Sequence, residues 1–276
     1  MAIFARQLWR NKFAMGALAV LLLLALLAIL APVLAPYRYD TQEFGARLQP
    51  PSAAHPFGTD HAGRDILSRI MYGGRVSLAV GFIAVGVAMA IGVPIGAVAG
   101  YLGGKTDLLL MWLMDLLISF PSLLLTIAIA SALGPSIQNA MLAIGIVNVP
   151  NFARLVRSQV LSVRGLDYVE AARANGATTP RIIVRHVVPN TVAVVIVRAT
   201  IGIAAAILTE AGLSFIGLGA QPPFPSWGGM LNDGRDFMRK APYITTIPGV
   251  FIAVTVLAFN LLGDGLRDAL DPRMKS

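Results

Sequence analysis

Three ionisable side chains, Asp115, Arg198 and Glu210, stand inside otherwise uncharged apolar stretches of this 276-residue chain. A charge at membrane depth is expensive and is retained where it pairs, meets water or serves transport, so each is a candidate for lining a polar path. Other chemistry is sparse. Residues 99–106 end in Gly104-Lys105-Thr106 and match a relaxed phosphate-binding loop. Such a loop needs a buried parallel strand before it, and both flanks here have the pattern of apolar helices. His55 and His61 lie near Asp60 and Asp65, a set able to hold a metal, but the stretch from His55 to Asp60 contains Pro56 and Gly58 and reads as a structural turn. With no cysteine there is no thiolate nucleophile, disulfide framework or thiolate-bound metal. No catalytic, cofactor-binding or metal-binding residue is assigned to the chain.

The elements that must position these groups are written for two solvents. The chain is 56% hydrophobic and 13% charged with a mean hydropathy of +0.72, and the apolar residues are concentrated in blocks. Residues 13–34, 76–102, 108–133, 137–152, 192–219 and 243–263 carry only the three charges named above. The intervening segments have the charge density of a soluble protein, so a lone soluble enzyme, a disordered regulator and a secreted disulfide scaffold are excluded.

Each block predicts a membrane helix, giving an all-α polytopic protein with six transmembrane helices. The first, 22 residues or about 33 Å, spans a hydrocarbon core of roughly 30 Å and exceeds the apolar core of a cleaved signal, despite the basic start with Arg6, Arg10 and Lys12. The second places Gly92, Gly96 and Gly100 on one face, where another helix can approach closely. Phe120-Pro121 predicts a kink in the third, and the fifth loosens near its end at Gly212, Gly217 and Gly219. Six spans put both termini on one side. That side receives 13 Lys and Arg residues against 8 on the other, which makes it cytoplasmic. The net charge of +8 flanks spans and shows no basic stripe with interleaved aromatics, so nucleic acid is not an expected partner; the bilayer is. Residues 1–75 form an N-terminal region with the first helix and an external segment, and residues 76–276 a core of five helices.

The cytoplasmic loop 153–191 is the most informative segment. Asp167 with Glu170 three residues on is an analogue of the capping box, so a short helix begins at Asp167; Gly176 ends it. Thr179-Pro180 reads as the N-cap and first residue of a second short helix that Pro189 stops. The first helix, with Tyr168, Ala171, Ala172 and Ala174, buries too little to be stable alone and needs a partner. Composition leaves two partners open, another protein or anionic headgroups meeting the six arginines of the loop.

Glu170-Ala171-Ala172, Gly176 and His186-Val187-Val188-Pro189-Asn190 together resemble the EAA loop of permease subunits from bacterial ABC importers. Gly58-Thr59-Asp60-His61-Ala62-Gly63-Arg64-Asp65, Leu213-Ser214-Phe215-Ile216-Gly217-Leu218-Gly219, and Asn260-Leu261-Leu262-Gly263-Asp264-Gly265 with Asp271-Pro272-Arg273 resemble the C-type permeases of dipeptide, oligopeptide and nickel importers. The resemblance covers nearly the whole chain. It implies the type I ABC importer permease fold in a bacterial inner membrane, half of a translocation path, and no catalysis by this chain. It also implies a homologous permease, two cytoplasmic ATPases that hold ATP and Mg, and an external solute-binding protein as partners. Asp167, Tyr168, Glu170, Ala171, Ala172 and Gly176 would then couple to the ATPase. Arg198 and Glu210, about 18 Å apart on one helix, cannot pair directly. Glu210 is placed for the outer part of the path and Arg198 for the inner leaflet, with structural pairing as the alternative for both and for Asp115. A secondary transporter would show inverted repeats with matching broken helices, and none is visible.

Overall fold

The computed structural model describes residue 9 and residues 11–270; Arg6, Arg10 and the tail Asp271-Pro272-Arg273 lie outside the described residues. Among the described residues the regular elements are helices, with one isolated β-bridge between Thr59 and Asp65.

Helix α1, Lys12–Ile29, starts where the Asn11 side chain accepts from the Ala14 N–H at 3.1 Å. Its buried residues, Ala14, Ala17, Leu21, Leu24 and Ala28, recur every three or four positions and make one seam, while Leu22, Leu23, Leu26 and Ile29 remain exposed. An apolar seam with apolar flanks is the pattern of a helix packed on one side and bathed in lipid on the other. Helix α2, Ile66–Leu102, has 37 residues and begins ten residues before the expected span. At about 55 Å it exceeds the hydrocarbon core, so its first turns belong to a cap outside the bilayer, and the boundary expected at residue 75 falls inside a helix.

The expected kink at Phe120-Pro121 is a break. Helices α3, Gly104–Ile118, and α4, Ser122–Leu133, meet at 88°. Proline lacks the N–H that would continue the ladder and disfavours helical backbone in the preceding residue. Five helices among the described residues are long and apolar enough to cross a membrane, or six if this bent pair counts as one span.

Helix α5, Ile137–Val163, is capped by the Ser136 hydroxyl accepting from the Asn139 N–H. It continues through residues 153–163, which the sequence pattern assigned to the loop. The three glycines of α2 lie against it. A Cβ at Gly92 would stand 2.6 Å from the Val149 carbonyl oxygen, one at Gly96 would collide with that of Ala153, and one at Gly100 would meet that of Arg157 at 2.9 Å. The glycine face therefore packs backbone against backbone, and Phe152, Val156 and Val160 fill the seam.

Helix α6, Asp167–Ala174, is followed by a helical turn Thr179–Ile182, a π segment Ile183–Val187 and a 3-10 turn Val188–Asn190. Helix α7, Val192–Phe215, stops four residues short of expectation. It does so in a Schellman turn: Gly217 has φ +85° and the Leu218 N–H reaches the Leu213 carbonyl at 2.8 Å. Helix α8, Trp227–Gly234, and helix α9, Tyr243–Leu270, follow among the described residues. Buried Trp227, donating from Nε1 to the Ile70 carbonyl at 3.0 Å, pins α8 onto the first turns of α2. That end of the bundle, with residues 35–65 and 217–242, is the cap end; the end carrying α6 is the loop end.

Candidate functional site

The loop end is built on α6. Leu166, with extended backbone, occupies the N-cap position and makes no side-chain cap bond, which corrects the expected capping box. Asp167 and Glu170 both lie in the first turn, where they favour the positive end of the helix dipole, and Glu170 is exposed. The second expected cap is also displaced by one residue, to Thr178, and Pro180 is the second helical residue. The C-terminal expectation holds. Gly176 has φ +78°, its N–H meets the Arg173 carbonyl at 3.0 Å, and the Ala177 N–H meets that of Ala172 at 3.1 Å. Those two bonds are a Schellman motif, which requires a left-handed residue at this position.

Only Val169 of α6 is buried. Ala172 is half-buried against the main core, while Asp167, Tyr168, Glu170 and Ala171 form an exposed surface. Two side-chain contacts that the sequence did not announce hold the helix in place. The Tyr168 hydroxyl accepts from Asn190 Nδ2 at 3.1 Å, and Arg173 Nη2 donates to the Tyr101 hydroxyl at 3.2 Å with its guanidinium 5.8 Å from that ring. The hydrogen bond to Tyr101 raises the Arg173 pKa further, so this tie stays charged. It joins α6 to the last turn of α2, and Tyr168 joins it to the 3-10 turn that precedes α7.

The intramembrane charges are separated. Asp115 meets Arg154 of α5, Oδ1 to Nη2 2.5 Å, with 58% and 49% of the two side chains exposed. Nearby, Arg157 forks onto Asp107 at 2.5 and 2.6 Å. Glu210 has no exposed surface. It accepts from Ser214 Oγ at 2.5 Å and Ser77 Oγ at 3.4 Å, and Ser226 reaches Ser214 at 3.2 Å, so one carboxylate gathers α2, α7 and the start of α8. Arg198 is half-buried and makes no ion pair among the described residues. Ser77 carried no sequence signal for this contact, because it lies 133 residues from Glu210, whereas Ser214 is one helical turn away.

At the cap end the histidines join a structural network. His55 Nδ1 is 3.0 Å from Asp65 Oδ1 and stacks on Tyr37, while Asp65 Oδ2 caps α2 by accepting from the Ser68 N–H at 2.7 Å. Asp60, His61 and Asp233 bring ligand atoms within 4.8 Å of one another. Both carboxylates are already engaged by guanidinium groups: Arg64 bonds Asp60 at 2.6 Å, and Arg64 and Arg69 reach Asp233 at 3.1 and 3.2 Å. In the exposed part of this cap the hydrogen bond from Arg38 holds the Asp40 carboxyl below its ordinary range. Gly104-Lys105-Thr106 opens α3 directly after α2, with no strand before it, so the phosphate-loop match has no supporting fold.

Residues 92–276 match the family described as the binding-protein-dependent transport system inner membrane component, and residues 1–51 match the N-terminal TM domain of oligopeptide transport permease C. The dipeptide transport system permease protein DppC of Alkalihalophilus pseudofirmus is 51% identical over 98% of this chain and 89% of its own length. The glutathione transport system permease protein GsiD of Pectobacterium atrosepticum is 46% identical over 99% and 91%. Among solved structures, an inward-facing form of the MetNI methionine ABC transporter aligns with a TM-score of 0.60 and 19% identity, covering 74% of this chain and 97% of that one, which supports the shared fold. The chain therefore belongs to the inner-membrane components of binding-protein-dependent transport systems, as a multi-pass, non-catalytic permease subunit of an ABC importer.

Proposed function

We propose that this chain forms one half of the translocation path of an ATP-driven importer of di- and oligopeptides. It works with a homologous permease, two cytoplasmic ATPases that hold ATP and Mg, and an external solute-binding protein. Both termini and the loop end face the cytoplasm of a bacterial cell, and the cap end faces the binding protein. The N-terminal 75 residues supply α1, much of the cap and the first turns of α2, and the remainder is the rest of the permease core. The observation that carries the coupling role is α6: a short helix stopped by a left-handed glycine, with an exposed face of Asp167, Tyr168, Glu170 and Ala171, tied by single side chains to α2 and to the turn that precedes α7. Ala172 faces the chain's own core, and Gly176 sets where the lever ends. ATP-driven closure of the ATPases pulls on α6, and the two states differ in affinity for the loaded binding protein, which is why that protein triggers the cycle.

Asp115, exposed beside Arg154, is the intramembrane charge whose placement best supports a path role. The burial of Glu210 among serines favours a structural role for it, and Arg198 needs water or a partner from outside the described residues. The peptide substrate rests on the dipeptide-named relatives; glutathione, named for others of similar identity, is the second reading, and nickel a further one. The test is reconstitution of the complex in proteoliposomes with each solute and its binding protein. ATP-dependent uptake of dialanine supports the proposal. Uptake without ATP, driven by an ion gradient, would instead make this a secondary transporter.

A further inference from the structure

Polar side chains run down one face of α5. At 3.6 residues per turn, Asn148, Asn151, Arg154, Ser158 and Ser162 fall within an arc of about 120°, and all but half-buried Asn148 are exposed. Much of the rest of the helix surface, with Val149, Phe152, Ala153, Val156 and Val160, is buried and meets the glycine face of α2. The 27 residues of α5 make it about 40 Å long, roughly 10 Å more than a hydrocarbon core. Whichever end overhangs, residues 144–156 stay at hydrocarbon depth, and with them Asn148, Asn151 and Arg154. Asp115 of α3 joins them through its half-exposed pair with Arg154.

Lipid is the wrong solvent for that face. Two carboxamides and an exposed ion pair turned toward acyl chains are costly, so the arc meets water or protein. Three features favour water. Close helix packing in membranes uses small residues, and the small-residue face at this level is already spent between α2 and α5. Between Asn148 and Arg154 the arc carries none. The carboxamides also satisfy themselves only locally: Asn148 Nδ2 donates back to the Ile144 carbonyl at 2.8 Å and Asn151 Nδ2 to Asn148 Oδ1 at 3.3 Å, leaving the Asn151 amide oxygen without a donor among the described residues.

We propose that Asn148, Asn151 and the Arg154–Asp115 pair are the part of this subunit's path wall that holds an amide-bearing zwitterion. Carboxamides match both the N–H and the C=O of a peptide group, and the ion pair offers a counter-charge to each terminus. A zwitterion exchanges partners with the pair, so neither charge is left bare during passage. This rests on the importer reading above.

The chain contains no cysteine, which makes a single introduced thiol a clean probe. Asn148→Cys, Asn151→Cys, buried Val156→Cys and exposed Leu22→Cys on α1 are each assembled in the full importer in proteoliposomes. Each is treated with a charged, membrane-impermeant methanethiosulfonate, with dialanine and S-methylglutathione, whose blocked thiol cannot consume the reagent, as the solute probes. The first two variants are expected to react, and transported solute with ATP and loaded binding protein to slow them by about tenfold. Val156→Cys and Leu22→Cys are expected to stay unmodified. In parallel, Arg154→Gln and Asp115→Asn should each lower uptake at least about tenfold while stimulation of the ATPase by loaded binding protein is retained. No reaction at positions 148 and 151 in a complex that still imports would overturn the proposal and make the arc a permease interface. Reaction without protection, together with unchanged uptake in both charge variants, would overturn solute contact. An unaltered complex that neither hydrolyses ATP on stimulation nor imports would remove the importer reading and this inference with it.

Discussion

Gly176→Val should uncouple the importer while leaving the membrane helices in place. The ideal Cβ at this glycine meets nothing within 4 Å, so the cost is purely one of backbone. Two routes are open to valine. It can stay left-handed at φ +78°, costing about 1–2 kcal/mol and more for a β-branched side chain. Alternatively it leaves that region and gives up the bonds from Gly176 to Arg173 and from Ala177 to Ala172, each worth about 0.5–1.5 kcal/mol. Either route costs as much as burying a valine side chain gains, about 1.5–3 kcal/mol, and Val169 is the only buried residue that docks α6. The population of correctly placed helix should therefore fall by roughly 5- to 30-fold. Asn tolerates the left-handed region and Ala tolerates it better than Val, so uptake should fall in the order Gly, Asn, Ala, Val. Glu170→Ala, which removes no capping bond, should be milder than Gly176→Val. The assay is stimulation of ATP hydrolysis by loaded binding protein in purified complexes, with membrane levels of the permease measured alongside. Equal stimulation in Gly176→Val and the unaltered protein would refute the argument that α6 is the lever.

A reporter fused after Ser276 should be active only in the cytoplasm; external activity would mean that the 88° pair α3–α4 turns back without crossing, leaving five spans and termini on opposite sides. Glu210→Ala should lower the thermal midpoint of the detergent-purified complex, since Ser77 and Ser214 lose a shared acceptor at about 1–3 kcal/mol for each hydroxyl left unsatisfied, whereas Glu210→Gln should keep most of that stability. An unchanged midpoint in Glu210→Ala would refute the structural role. Gly96→Leu should abolish accumulation of the folded permease because its Cβ meets the Ala153 carbonyl, while Gly86→Leu, on the same helix with nothing within 4 Å, should be tolerated. Comparable membrane levels of the two variants would show that α2 and α5 can separate at low cost.

What the sequence determined by itself follows from solvents and from interactions within a few residues. Hydrocarbon tolerates few charges and demands about 20 apolar residues per crossing, so five full-length spans and the additional apolar block stand out in one dimension. Gly92, Gly96 and Gly100 share a face by helical periodicity alone, and Gly176 ends α6 because the Schellman bonds join residues three and five apart. Local rules failed at two places: the capping box at Asp167 gave way to Leu166, and the α-turn after Thr179 passed into a π segment before Pro189. Tertiary structure alone decided the rest. It alone made Pro121 a right-angled break, since the bend depends on what α3 and α4 pack against. The partners of Asp115 and Glu210 were likewise invisible, because Glu210 meets Ser77 from another helix and Asp115 meets Arg154 across 39 residues of chain. Desolvation requires each such charge to find a partner or water, but only packing of the helices selects which residue arrives.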